Sequence, residues 1–172
     1  MEGTVQAAQF FLSLGMLKLP MGLTLDSVEL VGQDITASVP FKTVDHPKPA
    51  LVSVTVSKES LAEYLAGKMP AQFRNLTVEI GTDQIVLLGQ VNFVVNIPAR
   101  VVVQLAISKG TELHVALLEV EPSLARPVVE SQLQNQNPIL KASDLLVELE
   151  FKSVEYQPGT SVTVRAEARL PK

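Results

Sequence analysis

Residues 84 to 107 read QIVLLGQVNFVVNIPARVVVQLAI, and every odd position from Ile85 to Ile107 is apolar or glycine. The even positions carry Gln84, Gln90, Asn92, Asn96, Arg100 and Gln104. Period-two alternation belongs to strands with one wet face and one covered face. A chain of 172 residues that devotes so long a segment to one apolar face must build a sheet and cover it. The rest of the chain must say what the cover is.

The remaining segments repeat the alternation. LTLDSVELV, DITASVPFK and LVSVTV read as three strands over residues 23 to 57. In the second, Ile35, Ala37, Val39 and Phe41 share a side, opposite Thr36, Ser38 and Lys42. DHPKP (45 to 49) is a loop, because two prolines so close do not fit a central strand. LTVEI and QIVLL meet across Thr82 and Asp83, and register on the apolar face pairs Ile80 with Ile85 and Val78 with Leu87. Pro98 breaks the long run into strands over 84 to 96 and 99 to 107. A three-residue turn with Gly110 left-handed then pairs Leu105 with Val115 and Val103 with Leu117. A last hairpin turns at Pro158 and Gly159, with Val147, Leu149 and Phe151 facing Leu170, Ala168 and Ala166.

Three segments have helical spacing. Gln6, Gln9 and Ser13 make a narrow polar stripe in TVQAAQFFLSLGMLKL, so a nearly all-apolar helix is expected over 4 to 19. SKESLAEYLAGKMP (57 to 70) has Ser57 or Ser60 as its cap, a capping box between Ser60 and Glu63, and an apolar stripe of Leu61, Tyr64, Leu65 and Met69. PSLARPVVESQLQNQNP (122 to 138) is a helix kinked or delayed by Pro127, its polar end pointing to solvent. The fold class expected is α+β: about eight or nine strands in a strongly curved antiparallel sheet, wrapped around or packed on two to three helices. It forms one domain over residues 1–172, with the N-terminal helix ahead of a strand and helix core over 23–172.

Composition narrows the function classes. The formal net charge is −4 and no basic run exists, which argues against a nucleic-acid partner. There is no cysteine, so disulfides and thiolate metal sites are excluded. The two histidines, His46 and His114, fit no metal-ligand spacing. Gly-x-Ser-x-Gly, Gly-x-Gly-x-x-Gly and P-loop patterns are missing. Gly81, Gly89 and Gly110 read as turn or bulge glycines. Glu112, Glu119 and Glu121, and likewise Glu148, Glu150 and Glu155, alternate with apolar residues as a solvated face does. The expectation is a non-enzyme without cofactor or metal. The opening residues lack the positive start of a signal peptide, since Glu2 is their only early charge.

Helices about 10 Å wide against strands about 4.8 Å apart let three helices cover roughly six or seven strands. Cover is barely adequate, and a curved sheet would leave an apolar channel beside its helices. An acyl chain of ~16 carbons entering it would gain on the order of 10 kcal/mol before losses. The other reading is a protein-interaction module whose apolar face is covered by its own helices or by a homodimer partner.

The order of elements resembles a known family. Ser57, Leu61, Tyr64 and Leu65 match a short helix of the form Ser-x-x-x-Leu-x-x-Tyr-Leu, and Leu87 to Gly89 match a Leu-x-Gly step after it. IPARVVVQLAISKGTELHVALLEVE, a proline-bearing helix and a hairpin of alternating charge follow. Over about residues 50 to 170 this is similar to the LmeA-like phospholipid-binding family, related to tubular lipid-binding domains. The resemblance implies a bent sheet holding acyl chains, and a bacterial cell-envelope protein that binds or moves phospholipid, with a membrane surface as a further partner and no catalytic residues. The lipid-facing residues expected are Phe10, Phe11, Leu14, Leu61, Leu65, Leu87, Phe93, Val95, Val103, Leu105, Val115, Leu117, Leu149 and Phe151. Lys68, Arg74 and Arg100 are the cations available to a headgroup.

Overall fold

The computed structural model describes residues 3–39, 44–45, 48–145 and 148–169. Their chain order is β1 (Gly3–Lys18), β2 (Thr24–Val39), β3 (Val44–Asp45), β4 (Ala50–Ser57), α1 (Lys58–Lys68), β5 (Phe73–Ile80), β6 (Ile85–Asn92), β7 (Asn96–Ser108), β8 (Glu112–Glu121), α2 (Arg126–Gln136), β9 (Leu140–Lys141), β10 (Glu148–Gln157) and β11 (Ser161–Arg169). The fold is α+β and its strand pairs are antiparallel, as the alternation predicts. Expected and found differ in the division into sheets. Strands β1-β2-β4-β11-β10, with β3 beside β2, make one sheet, and β5-β6-β7-β8-β9 make a second.

The two sheets cover each other. One apolar cluster takes Val52, Val54, Phe151, Val164 and Ala166 from the first sheet and Val78, Ile80, Ile85, Leu87, Val101 and Val103 from the second. Face-to-face packing of sheets is the ordinary way to bury two alternating faces. The helices are therefore lateral connectors and not the main cover. Helix α1 carries the chain from the first sheet to the second and packs against β5, β2 and β4. Helix α2 packs against β8.

Several registers stand as read from the sequence. Ile80 pairs with Ile85 and Val78 with Leu87. Leu105 pairs with Val115 and Val103 with Leu117, next to a bulge at Val102. Leu149 faces Ala168 and Phe151 faces Ala166. Gly110 is left-handed with φ 69°. Val147 and Leu170, like Phe41, Lys42 and His46, lie outside the described residues.

The largest correction is at the N-terminus. Residues 3 to 18 form a strand, not a helix, and pair with β2 from Gly3↔Val39 to Lys18↔Thr24. The loop Pro20-Met21-Gly22 closes this hairpin. Leu19 N–H donates to Leu23 O at 2.8 Å, Gly22 N–H donates to Leu19 O at 2.9 Å, and Gly22 takes φ 99°. A proline-led turn ending in a left-handed glycine is a standard three-residue hairpin loop. It was legible in LPMGL, but the polar stripe at Gln6, Gln9 and Ser13 imitates helical spacing. The imitation arises because β1 bears apolar residues on both faces, which erases the period of two.

Three smaller corrections follow. LTLDSVELV and DITASV are one continuous strand, β2, which passes through Gly32 and bends at Asp34, φ 54°. Pro98 lies inside β7 opposite Gln90, and the break falls at residues 93 to 95. Strand β8 joins β7 only from Arg100 onward, so at Pro98 one side of β7 is open, where a missing N–H is tolerated. Ser57 is the cap of α1, accepting from Ser60 N–H at 3.1 Å. The Ser60 hydroxyl turns to Asp26 and not to a capping box with Glu63.

Candidate functional site

The first sheet has a face that changes from covered to open along a single row. In the row Leu12–Leu30–Val52–Ala166–Phe151 each residue is paired with the next, so all point to the same side. Phe151, Ala166 and Val52 are 3–4% exposed, Leu30 is partly buried, and Leu12 is 42% exposed. The row Leu14–Val28–Val54–Val164 follows the same course, with Leu14 in the open. Phe10 lies beside them opposite Gly32. The core face thus runs out from under the second sheet and continues over β1.

The opposite side of the ribbon is mixed. Phe11, Val31 and Leu51 form a paired row whose ends are 60% and 56% exposed. Beside it, Ser13, Glu29 and Ser53 pair in turn, and Arg165 Nη1 donates to Ser53 Oγ at 3.1 Å and its Nε to Glu155 Oε1 at 2.5 Å. The Glu155 carboxyl is held below its ordinary value by that arginine. This side mixes charge with an apolar row, whereas the two core-side rows through Leu12 and Leu14 are apolar throughout.

The structure separates the expected lipid-facing residues into two sets. Leu61, Leu87, Val103, Val115, Leu149 and Phe151 are buried in the core, with Leu65, Leu105 and Leu117 packed against it. Phe10, Phe11 and Leu14 are exposed on β1, and Phe93 and Val95 are exposed at the β6–β7 turn. Leu12, Met16 and Leu17 belong with the exposed set and were absent from the expected residues. Of the expected headgroup cations, Arg100 pairs with Glu119 at 3.0 Å and Lys68 stands 5.7 Å over the Tyr64 ring. Arg74 is exposed on β5 opposite Gln90.

Among the described residues, concavities also lie elsewhere. A polar one of about 370 Å³ is lined by Lys109, Glu148, Glu150, Glu167 and Arg169, among others. A shallow one of about 410 Å³ lies between Pro70 and Gln72 on one side and Pro127, Val128, Ser131 and Gln132 on the other. An apolar crevice between Met69, Phe73, Leu76, Leu87 and Val101 is too narrow for a water molecule. Around the second of these, Gln132 Nε2 donates to the Lys68 carbonyl and ties α2 to the end of α1. The polar end of α2, expected to point to solvent, is in part bonded to the rest of the fold. Asn137 accepts from Val115 N–H and donates to Val115 O, both at 2.8 Å, and so completes the edge of β8.

His114 lies on β8, its Nε2 2.9 Å from Glu112 Oε2, and this contact holds the Glu112 carboxyl below its usual value. Among the described residues no three His, Asp or Glu side chains gather where a metal could sit. Among the described residues no helix is long and apolar enough to cross a membrane. Compared with known families, curated proteins and solved structures, the chain matches none.

Proposed function

We propose that this chain binds acyl-chain lipid without chemistry, on the part of the core face that β1 and β2 leave open. The observation that carries the reading is the row from buried Val52 to exposed Leu12, a core surface extended into solvent. Exposed apolar area that is contiguous and strand-borne needs an occupant, unlike scattered surface leucines. An acyl chain suits it, because flat aliphatic side chains such as Leu12, Leu14 and Leu30 offer dispersion contact and no directional demand. The resemblance of the α1 segment and its following strands to phospholipid-binding proteins supports the same class.

The test is mass spectrometry of a solvent extract of the purified, detergent-free protein, with an unrelated protein as control. A stoichiometric lipid or fatty acid, lost in the Leu12→Gln/Leu14→Gln variant, is the expected result. An empty extract together with no uptake of a fluorescent fatty acid would overturn the reading.

A further inference from the structure

The outer edge of β1 has no neighbour among the described residues, because β1 ends its sheet and pairs only with β2. Free edges are normally blocked by a lysine, a proline, a bulge or short length. Strand β1 has 16 residues, no proline, and no charge before Lys18 at its last position. It exposes Val5, Phe10, Phe11, Leu12, Leu14, Met16 and Leu17. Pairing at this edge would satisfy the strand's free N–H and C=O groups and would bring these side chains of two copies together on the faces of one sheet.

The sequence of β1 is also nearly symmetric about Phe11. Laid antiparallel on a second copy, with Phe11 opposite Phe11, the strand places Phe10 against Leu12, Gln9 against Ser13, Ala8 against Leu14, Ala7 against Gly15 and Val5 against Leu17. Apolar meets apolar, polar meets polar and small meets small, with no charge opposed to a like charge. Gln6 against Met16 breaks the pattern, where Met16 already leaves strand geometry with φ 53°.

We propose that two copies of this chain associate through β1, edge to edge and antiparallel about Phe11, to form a continuous β2-β1-β1-β2 sheet. The occupant is a second copy because the register is self-complementary, which an unrelated partner would not require. Directly paired residues share a face, so Phe10, Leu12 and Leu14 of the two copies form one surface. The proposal stands without lipid.

The absence of native cysteine allows a direct test. Phe11→Cys places two thiols across the two-fold axis, where paired Cα atoms about 4.5–5.5 Å apart suit a disulfide. Oxidation of delipidated F11C should yield a covalent dimer in high yield, whereas Gln33→Cys, exposed on β2, should not. Wild type should sediment as a dimer, and Phe11→Lys as a folded monomer with an unchanged circular dichroism spectrum. F11K leaves Leu12 and Leu14 intact, so its acyl binding reports on the lipid reading separately. Monomeric wild type at every concentration, a dimer that survives F11K, or F11C that cross-links no faster than Gln33→Cys would overturn the proposal. So would a monomer that floats with phosphatidylcholine vesicles, which would assign β1 to a lipid surface.

Discussion

Asp26 Oδ2 accepts a hydrogen bond of 2.6 Å from the backbone N–H of Ser57, the residue that caps α1. Its other oxygen accepts from Ser60 Oγ at 3.2 Å. One carboxylate on β2 thereby anchors the start of the helix that leads to the second sheet. A negative charge there also suits the positive end of the helix dipole.

Burial pushes the Asp26 carboxyl up, but the bonds from Ser57 and Ser60 outweigh it and hold the group below 3.8. A depressed carboxylate contributes stability above its unfolded value, and that contribution disappears as pH falls through the folded value. Asp26→Asn should therefore cost about 1 kcal/mol at neutral pH, as for a partly solvated charged hydrogen bond. In urea unfolding, the gap between wild type and variant should narrow below pH 4. A gap of equal size at pH 6 and pH 3 would mean that the charge contributes nothing.

Gly89 has no room for a side chain. A Cβ there would stand 2.9 Å from the Arg74 carbonyl, where β5 bulges between Arg74 and Thr77. Backbone does not yield as a side chain does, so Gly89→Ala should destabilise by about 1–3 kcal/mol. Gly67→Ala, with open space around its Cβ, is the control and should be no less stable than wild type. Equal unfolding midpoints for the two variants would refute the close-approach argument.

Asn137 acts as one residue of an extra strand on Val115. Asn137→Ala leaves the Val115 N–H and C=O without these partners and should cost about 1–3 kcal/mol. Asn137→Asp keeps an acceptor for the N–H but sets an oxygen against the Val115 carbonyl, so it should not restore stability at neutral pH. Thermal melts of the three proteins decide this, and an Asp variant as stable as wild type would count against the geometry.

Tyr156 joins the two sheets. Its hydroxyl accepts from Leu105 N–H at 2.9 Å, and burial raises the phenol above its ordinary value. Tyr156→Phe leaves this part-buried amide without its tyrosine partner, at a cost of about 1 kcal/mol or more. Hydrogen exchange at Leu105 should accelerate in the variant, and protection equal to wild type would show that the amide has another partner.

Exposed and buried positions of one row should respond differently. Leu12→Gln should leave the free energy of unfolding within about 0.5 kcal/mol of wild type, since the side chain is open to water. Val52→Ala, at 4% exposure, should cost about 1–3 kcal/mol through the cavity it leaves. Comparable losses at both positions would mean that β1 is covered in solution.

Sequence by itself determined the strands whose two faces differ. Val78, Ile80, Ile85 and Leu87 could pair in only one register without exposing their apolar side, and so they do. The turns at Gly110 and Gly159 were equally legible, because left-handed backbone there selects glycine. Sequence was silent wherever both faces of a segment are alike. Strand β1, apolar on both faces, has no period to betray it, and only pairing with β2 over its whole length decides strand over helix. Tertiary structure alone also answered what covers the alternating face of residues 84 to 107. The cover is a second sheet and not a row of helices, because alternation specifies that a face is buried but carries no information about the partner that buries it.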